Sequence, residues 1–167
     1  DRRAELKFIP DYEIEAAVYQ ARDLANQHTS GLWSAEEHMQ SAAEAEANGD
    51  AAGAMRFTGA AVNVTDAPDL WVEYARRLLL AADRDQNQAR TYRERALNAA
   101  INAYLRAGTK PLRHNALLVM GTAYEALDRG RDTVQALRLA QAQQPRDDTA
   151  ALLDAAAAKY GFRVLEH

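Results

Sequence analysis

Eight times along this chain, a stretch with apolar residues at three- and four-residue spacing is cut off by a short breaker. That spacing puts the apolar side chains on one face of a helix, and Gly, Pro, Asn and Asp clusters end it. Asp11 follows Pro10 as a helix-opening residue. Ile14, Ala17, Val18, Ala21, Leu24 and Ala25 then form a stripe that stops near His28, before Thr29-Ser30-Gly31. Ser34 and Glu37 make a capping box for a second helix that ends at Asn48-Gly49-Asp50. A third covers 51–64 and is stopped by Asp66-Ala67-Pro68; Pro68 suits the first turn of the fourth, which carries Trp71, Tyr74, Ala75, Leu78 and Leu79. Beyond Asp83-Arg84-Asp85 the spacing predicts a long helix over 87–106, with Tyr92, Ala96, Ala100, Ala103 and Tyr104 inward. Gly108-Thr109-Lys110-Pro111 breaks the chain again, and helices follow at 112–127, 131–143 and, after Pro145, 147–159. Connections this short make consecutive helices antiparallel neighbours. With only 4 Pro and 8 Gly among 167 residues and alanine throughout, the expectation is an all-α chain of about eight helices.

The clearest internal unit begins at Leu112. Tyr124 follows Gly121 by three residues, Ala140 lies 19 beyond Gly121, and Pro145 lies 5 beyond that. A glycine allows two paired helices to approach closely, a tyrosine fills the space between them, and an alanine avoids crowding where three helices meet. Proline ends the second helix because it cannot continue the hydrogen-bond ladder. This unit resembles the 34-residue tetratricopeptide repeat, with Leu137 at a large-residue position of its second helix. Ala42, Ala45, Gly49, Ala54, Phe57 and Ala61 form a second, less regular copy, with Asp66 in place of the proline. Trp71, Tyr74, Ala75 and Leu78 begin another, whose second helix is lengthened, so the next copy starts 46 rather than 34 residues later. The resemblance implies a tetratricopeptide-like α–α superhelix over 11–160. A leading segment 1–10 precedes it, and a strand or linker begins at 161–167.

Charge and composition exclude several functions. Residues 1–67 carry 12 acids and 5 bases, whereas 68–167 carry 12 acids and 15 bases. The stretch 76–113 has 9 bases against 3 acids, but acids lie beside these arginines and the pI of 5.6 argues against a nucleic-acid partner. No cysteine is present, so there is neither a disulfide framework nor a thiolate metal site. No run is long and apolar enough to span a membrane. The start at Asp1, with no apolar leader, is expected of an excised piece of a longer protein. His28, His38, His114 and His167 lie outside helical reach of one another, and no phosphate-binding glycine loop or nucleophile motif occurs. We therefore expect no enzyme and no cofactor.

In tetratricopeptide stacks the first helices of successive repeats line a concave groove. In this register Met39, Val72, Glu73, Arg76, Leu118, Thr122 and Glu125 are the candidate groove residues. The clamp of Lys, Asn and Arg that grips a C-terminal carboxylate in some chaperone adaptors is missing. Arg76 is the one well-placed cation, and the simplest reading of Arg76 and Arg77 is a solvated face.

Three phrases carry a second resemblance: Arg3-Ala4-Glu5-Leu6-Lys7-Phe8-Ile9-Pro10, Asn102-Ala103-Tyr104-Leu105-Arg106-Ala107, and the run Ala158-Lys159-Tyr160-Gly161-Phe162-Arg163-Val164-Leu165-Glu166-His167. Together they resemble the helical segment near the N-terminus of bacterial alpha-2-macroglobulin-like proteins. In that family a phrase similar to Tyr-Gly-Phe-Arg-Val leads into the first of many β-sandwich domains. The resemblance implies a large periplasmic or cell-envelope protein that traps proteases after cleavage of a bait segment. With no Cys, this chain holds no thioester, so it would be a spacer or docking module. Its partners would be neighbouring domains of the same chain or a cell-envelope protein. The alternative is an independent tetratricopeptide-like scaffold or adaptor in envelope assembly.

Overall fold

A computed structural model describes residues 2–26 and 33–161, for residues 21–26 the backbone alone. The described residues form eight α-helices after a 3-10 turn at Arg3–Glu5, with no strand among them. The helices are α1 (Asp11–Asn26), α2 (Ala35–Ala47), α3 (Ala51–Val64), α4 (Pro68–Arg84), α5 (Ala89–Arg106), α6 (Lys110–Ala126), α7 (Gly130–Gln143) and α8 (Asp147–Tyr160). The all-α expectation holds. The expected helix end at His28 and the strand-like segment 162–165 lie outside the described residues.

The caps show why the helices begin where they do. Ser34 Oγ accepts from the Glu37 amide at 3.2 Å while Glu37 Oε1 accepts from the Ser34 amide at 3.3 Å, a full capping box. Asp50 accepts from the Gly53 amide at 2.9 Å and opens α3. Lys110 and Pro111 belong to α6 rather than to the break before it, because Thr109 Oγ1 caps the Leu112 amide at 3.4 Å. A proline in a first turn lacks only an N–H that would have no partner in the helix. Gly49, at φ 79°, makes the left-handed turn between α2 and α3.

From α2 onward each helix packs on the next along the chain, and α4 also touches α6. On the opposite side, α1 lies across α3 and α5. Helices α2 to α7 therefore fall into two layers, α2, α4 and α6 against α3, α5 and α7, with α1 laid over α3 and α5 of the second. Central α5 touches α4, α6 and α1 and is buried nearly all round, through Ala96, Leu97, Ala99, Ala100, Ile101, Asn102, Ala103 and Tyr104. Alanine at four of these positions lets three neighbours approach. Asn102 supplies a polar tie: its Nδ2 donates to the Ala17 carbonyl of α1 at 3.1 Å, and its Oδ1 accepts from Arg106 at 2.8 Å.

The leading segment read from sequence as 1–10 supplies two residues to the core. Leu6 is fully buried and Ile9 is 4 % exposed, both within the main apolar cluster. The Tyr104 hydroxyl donates to Glu5, and the Phe8 ring meets the edge of Tyr124 at 6.1 Å between centroids.

Gly121 lies where two helices come close together. A Cβ there would stand 3.2 Å from Cγ and Cδ2 of Leu137 on α7. Gly121→Leu is accordingly expected to cost on the order of 1–3 kcal/mol by overpacking, read from chemical denaturation. Burial raises the hydroxyl pKa of Tyr74, Tyr104 and Tyr124 above the ordinary value of about 10. In the unfolded chain these phenols ionise near their ordinary value, so unfolding releases protons there. Stability is therefore unchanged by these groups at neutral pH and falls as pH rises above about 10. A denaturation series should show that decline, and the share of tyrosinate absorbance due to these three buried rings should appear with unfolding rather than before it.

Candidate protein-interaction face

The seven groove residues expected from the repeat register occupy α2, α4 and α6, but the structure gathers them into two clusters. Met39 of α2 and Val72, Glu73 and Arg76 of α4 are all half-buried, and Val72 packs on the main core. Arg76 is held from two sides: its Nη2 lies 2.9 Å from Glu73 and 2.9 Å from Glu46 of α2. Arg77 is not a solvated residue. It is 6 % exposed, donating through Nη1 to Thr58 Oγ1 at 2.9 Å and through Nε to Glu46 at 3.2 Å. Glu46 thus joins α2 to α4 through two arginines, while Arg77 reaches α3. Burial works against the Glu46 charge, but the hydrogen bonds from Arg77 and Arg76 outweigh it and hold the carboxyl below its ordinary value.

The second cluster lies on α6. Leu118 packs on Val134 and Leu137 of α7. Thr122 is exposed, with its hydroxyl donating back to the Leu118 carbonyl at 3.1 Å. Glu125 accepts from Lys159 Nζ at 3.0 Å and from the Tyr160 hydroxyl at 3.2 Å, both on α8. Between α6, α7 and α8 a depression of about 200 Å³ is lined by Gly121, Thr122, Glu125, Leu137, Leu152 and Lys159. A smaller one, about 130 Å³, lies beside Arg77 between Glu46, Gly49, Leu80 and Arg84, and none of the seven lines it.

Sequence spacing missed Arg77, Glu46 and His114, although a signal for two of them was present. Arg77 follows the buried Tyr74 by three residues, which places it on the inner side of α4. His114 precedes Leu117, Gly121 and Tyr124 by three, seven and ten residues, on the same buried stripe. It is fully buried and bonded at both ring nitrogens, to the Ala140 carbonyl at 2.9 Å and Thr149 Oγ1 at 2.8 Å. Glu46 gave no such signal, because its value comes from arginines 30 and 31 residues away.

With its guanidinium engaged by two carboxylates, Arg76 offers little to an incoming carboxylate. Acidic C-terminal peptides should bind weakly or not at all by isothermal titration. Micromolar binding abolished by Arg76→Ala would contradict this. Among the described residues no three His, Asp or Glu side chains are placed to hold a metal ion, and no helix is long and apolar enough to cross a membrane. Comparison with protein-family models, with curated proteins and with solved structures found no match to this chain.

Proposed function

We propose that this chain is a non-catalytic protein-interaction or spacer module of tetratricopeptide-like construction, which meets its partner on the α2, α4 and α6 side. The observation that carries this reading is the two-layer packing. α4 reaches α6 directly, whereas α1 lies over α3 and α5. α1 thereby covers α3 and α5 of one layer, and the other layer presents partly exposed Met39, Val72, Arg76, Leu118 and Thr122. The close approach at Gly121 and the buried Tyr124 and Ala140 support the repeat register.

The larger setting we propose is a bacterial alpha-2-macroglobulin-like protease trap of the cell envelope, on the strength of the three sequence phrases alone. Reading the residues encoded beyond His167 tests it. Successive β-sandwich patterns support the trap; further helical repeats, or a stop codon, favour a free-standing adaptor instead. The division of labour has its own test. The 167-residue chain should leave proteases uninhibited. Inhibition by it alone would show that the module is not a spacer.

A further inference from the structure

α8, the last helix, packs mainly on α7, and like α2 it gives no residue to the main apolar cluster. The main apolar cluster draws on the leading segment and on α1 and α3 to α7, and takes no residue from α8. Along α8 only Thr149 and Ala156 are fully buried. Ala156 belongs to a small separate cluster with Val134 and Leu137, joined at its margin by Leu118, Leu153 and Tyr160. Beside that strip lies the depression of about 200 Å³, where Leu152 is left 50 % exposed.

Polar contacts at its two ends hold the helix. At the N-terminal end, the Ala140 carbonyl can only accept, so His114 Nδ1 carries the proton. In the neutral ring Nε2 then accepts from the Thr149 hydroxyl. This bond is buried, and Arg146 Nη1 adds a contact to Asn115 at 3.0 Å. At the C-terminal end Lys159 and Tyr160 bond Glu125 on the surface, where such pairs contribute little. The Tyr160 ring lies against Gly130, filling the place a side chain would take.

We propose that α8 is a separately opening lid over the α6–α7 hairpin, clasped by the His114–Thr149 bond. Its release uncovers Leu118, Val134 and Leu137, an apolar strip continuous with Thr122 and Glu125. Cooperative units of a protein open more readily where few buried apolar contacts tie them in, and α8 contributes only Ala156, with Leu153 and Tyr160 at the margin, to a small cluster. The opening does not depend on the interaction role proposed above.

Native-state hydrogen exchange followed by mass spectrometry tests this on the whole chain. Amides of α8 should exchange at least about tenfold faster than those of α4 and α5, with a weaker dependence on urea. His114→Ala, which leaves the Ala140 carbonyl and Thr149 hydroxyl without the ring, should speed α8 by about tenfold more. It should leave α4 and α5 within roughly twofold of wild type. Thr149→Val removes the same bond at smaller volume change and should act in the same direction. Exchange of α8 in step with α4 and α5 in the wild-type chain would overturn the proposal. So would acceleration of all helices alike, or failure of His114→Ala to fold.

Discussion

Tyr124→Ala is expected to lower the free energy of unfolding by roughly 3–5 kcal/mol, a large part of what a domain of this size has. The ring is fully buried, in a T-shaped contact with Phe8 and with the Arg129 guanidinium 4.8 Å from its centroid. Truncation would empty the junction of the leading segment, α6 and the α6–α7 turn at once. That Arg129 also reaches Glu13 of α1 at 3.0 Å, so loss of the ring loosens a contact between distant parts of the chain. Tyr124→Phe should behave differently. The hydroxyl is buried with no hydrogen-bond partner among the described residues, so removing it should change stability by no more than about 1 kcal/mol, in either direction. Equilibrium denaturation of the two variants separates packing from hydrogen bonding. A cost below about 1 kcal/mol for the alanine would mean the ring is not a core element.

Deleting residues 1–10 should have an effect of similar size. Leu6 and Ile9 are buried in the main cluster, and burying each contributes about 1.5–3 kcal/mol. Their joint loss, about 3–6 kcal/mol, is comparable with the whole stability of a marginal domain. The shortened chain should lose helical circular dichroism at room temperature or melt far earlier. Lys7→Ala, at an exposed position of the same segment, should stay within about 0.5 kcal/mol of wild type. A deletion that melts like the full chain would show that the segment only leans on the surface.

These two residues of the leading segment mark where the sequence stops being readable. Helices were legible because periodicity and caps are local: Ser34 with Glu37, Asp50 with Gly53 and Pro68 in a first turn act within one turn of the chain. Tyr124, Gly121 and Ala140 were legible because helical spacing puts each on the buried side of its helix. Leu6 and Ile9 belong to no helix, so no period announces their burial; their partners are close only once the chain has folded back. Glu46 is similar, reading as a surface acid until α4 brings two arginines to it. Arg77 shows the converse. A charged residue on the buried side of a helix has to find partners, and an adjacent arginine hid that requirement by suggesting a polar face. The candidate groove was legible as helix faces and not as a shape. Register places Leu118, Thr122 and Glu125 on one side of α6, but nothing local says that α8 takes up Glu125 and leaves a hollow beside Thr122.

Which layer of helices meets other proteins can be measured directly. A photo-crosslinking amino acid placed at Thr122, exposed on α6, and another at Tyr19, 76 % exposed on α1, can report this in cells making the protein. The two-layer reading predicts specific adducts, or cross-links to a neighbouring domain, from position 122 and none from position 19. Adducts from position 19 with none from position 122 would contradict it.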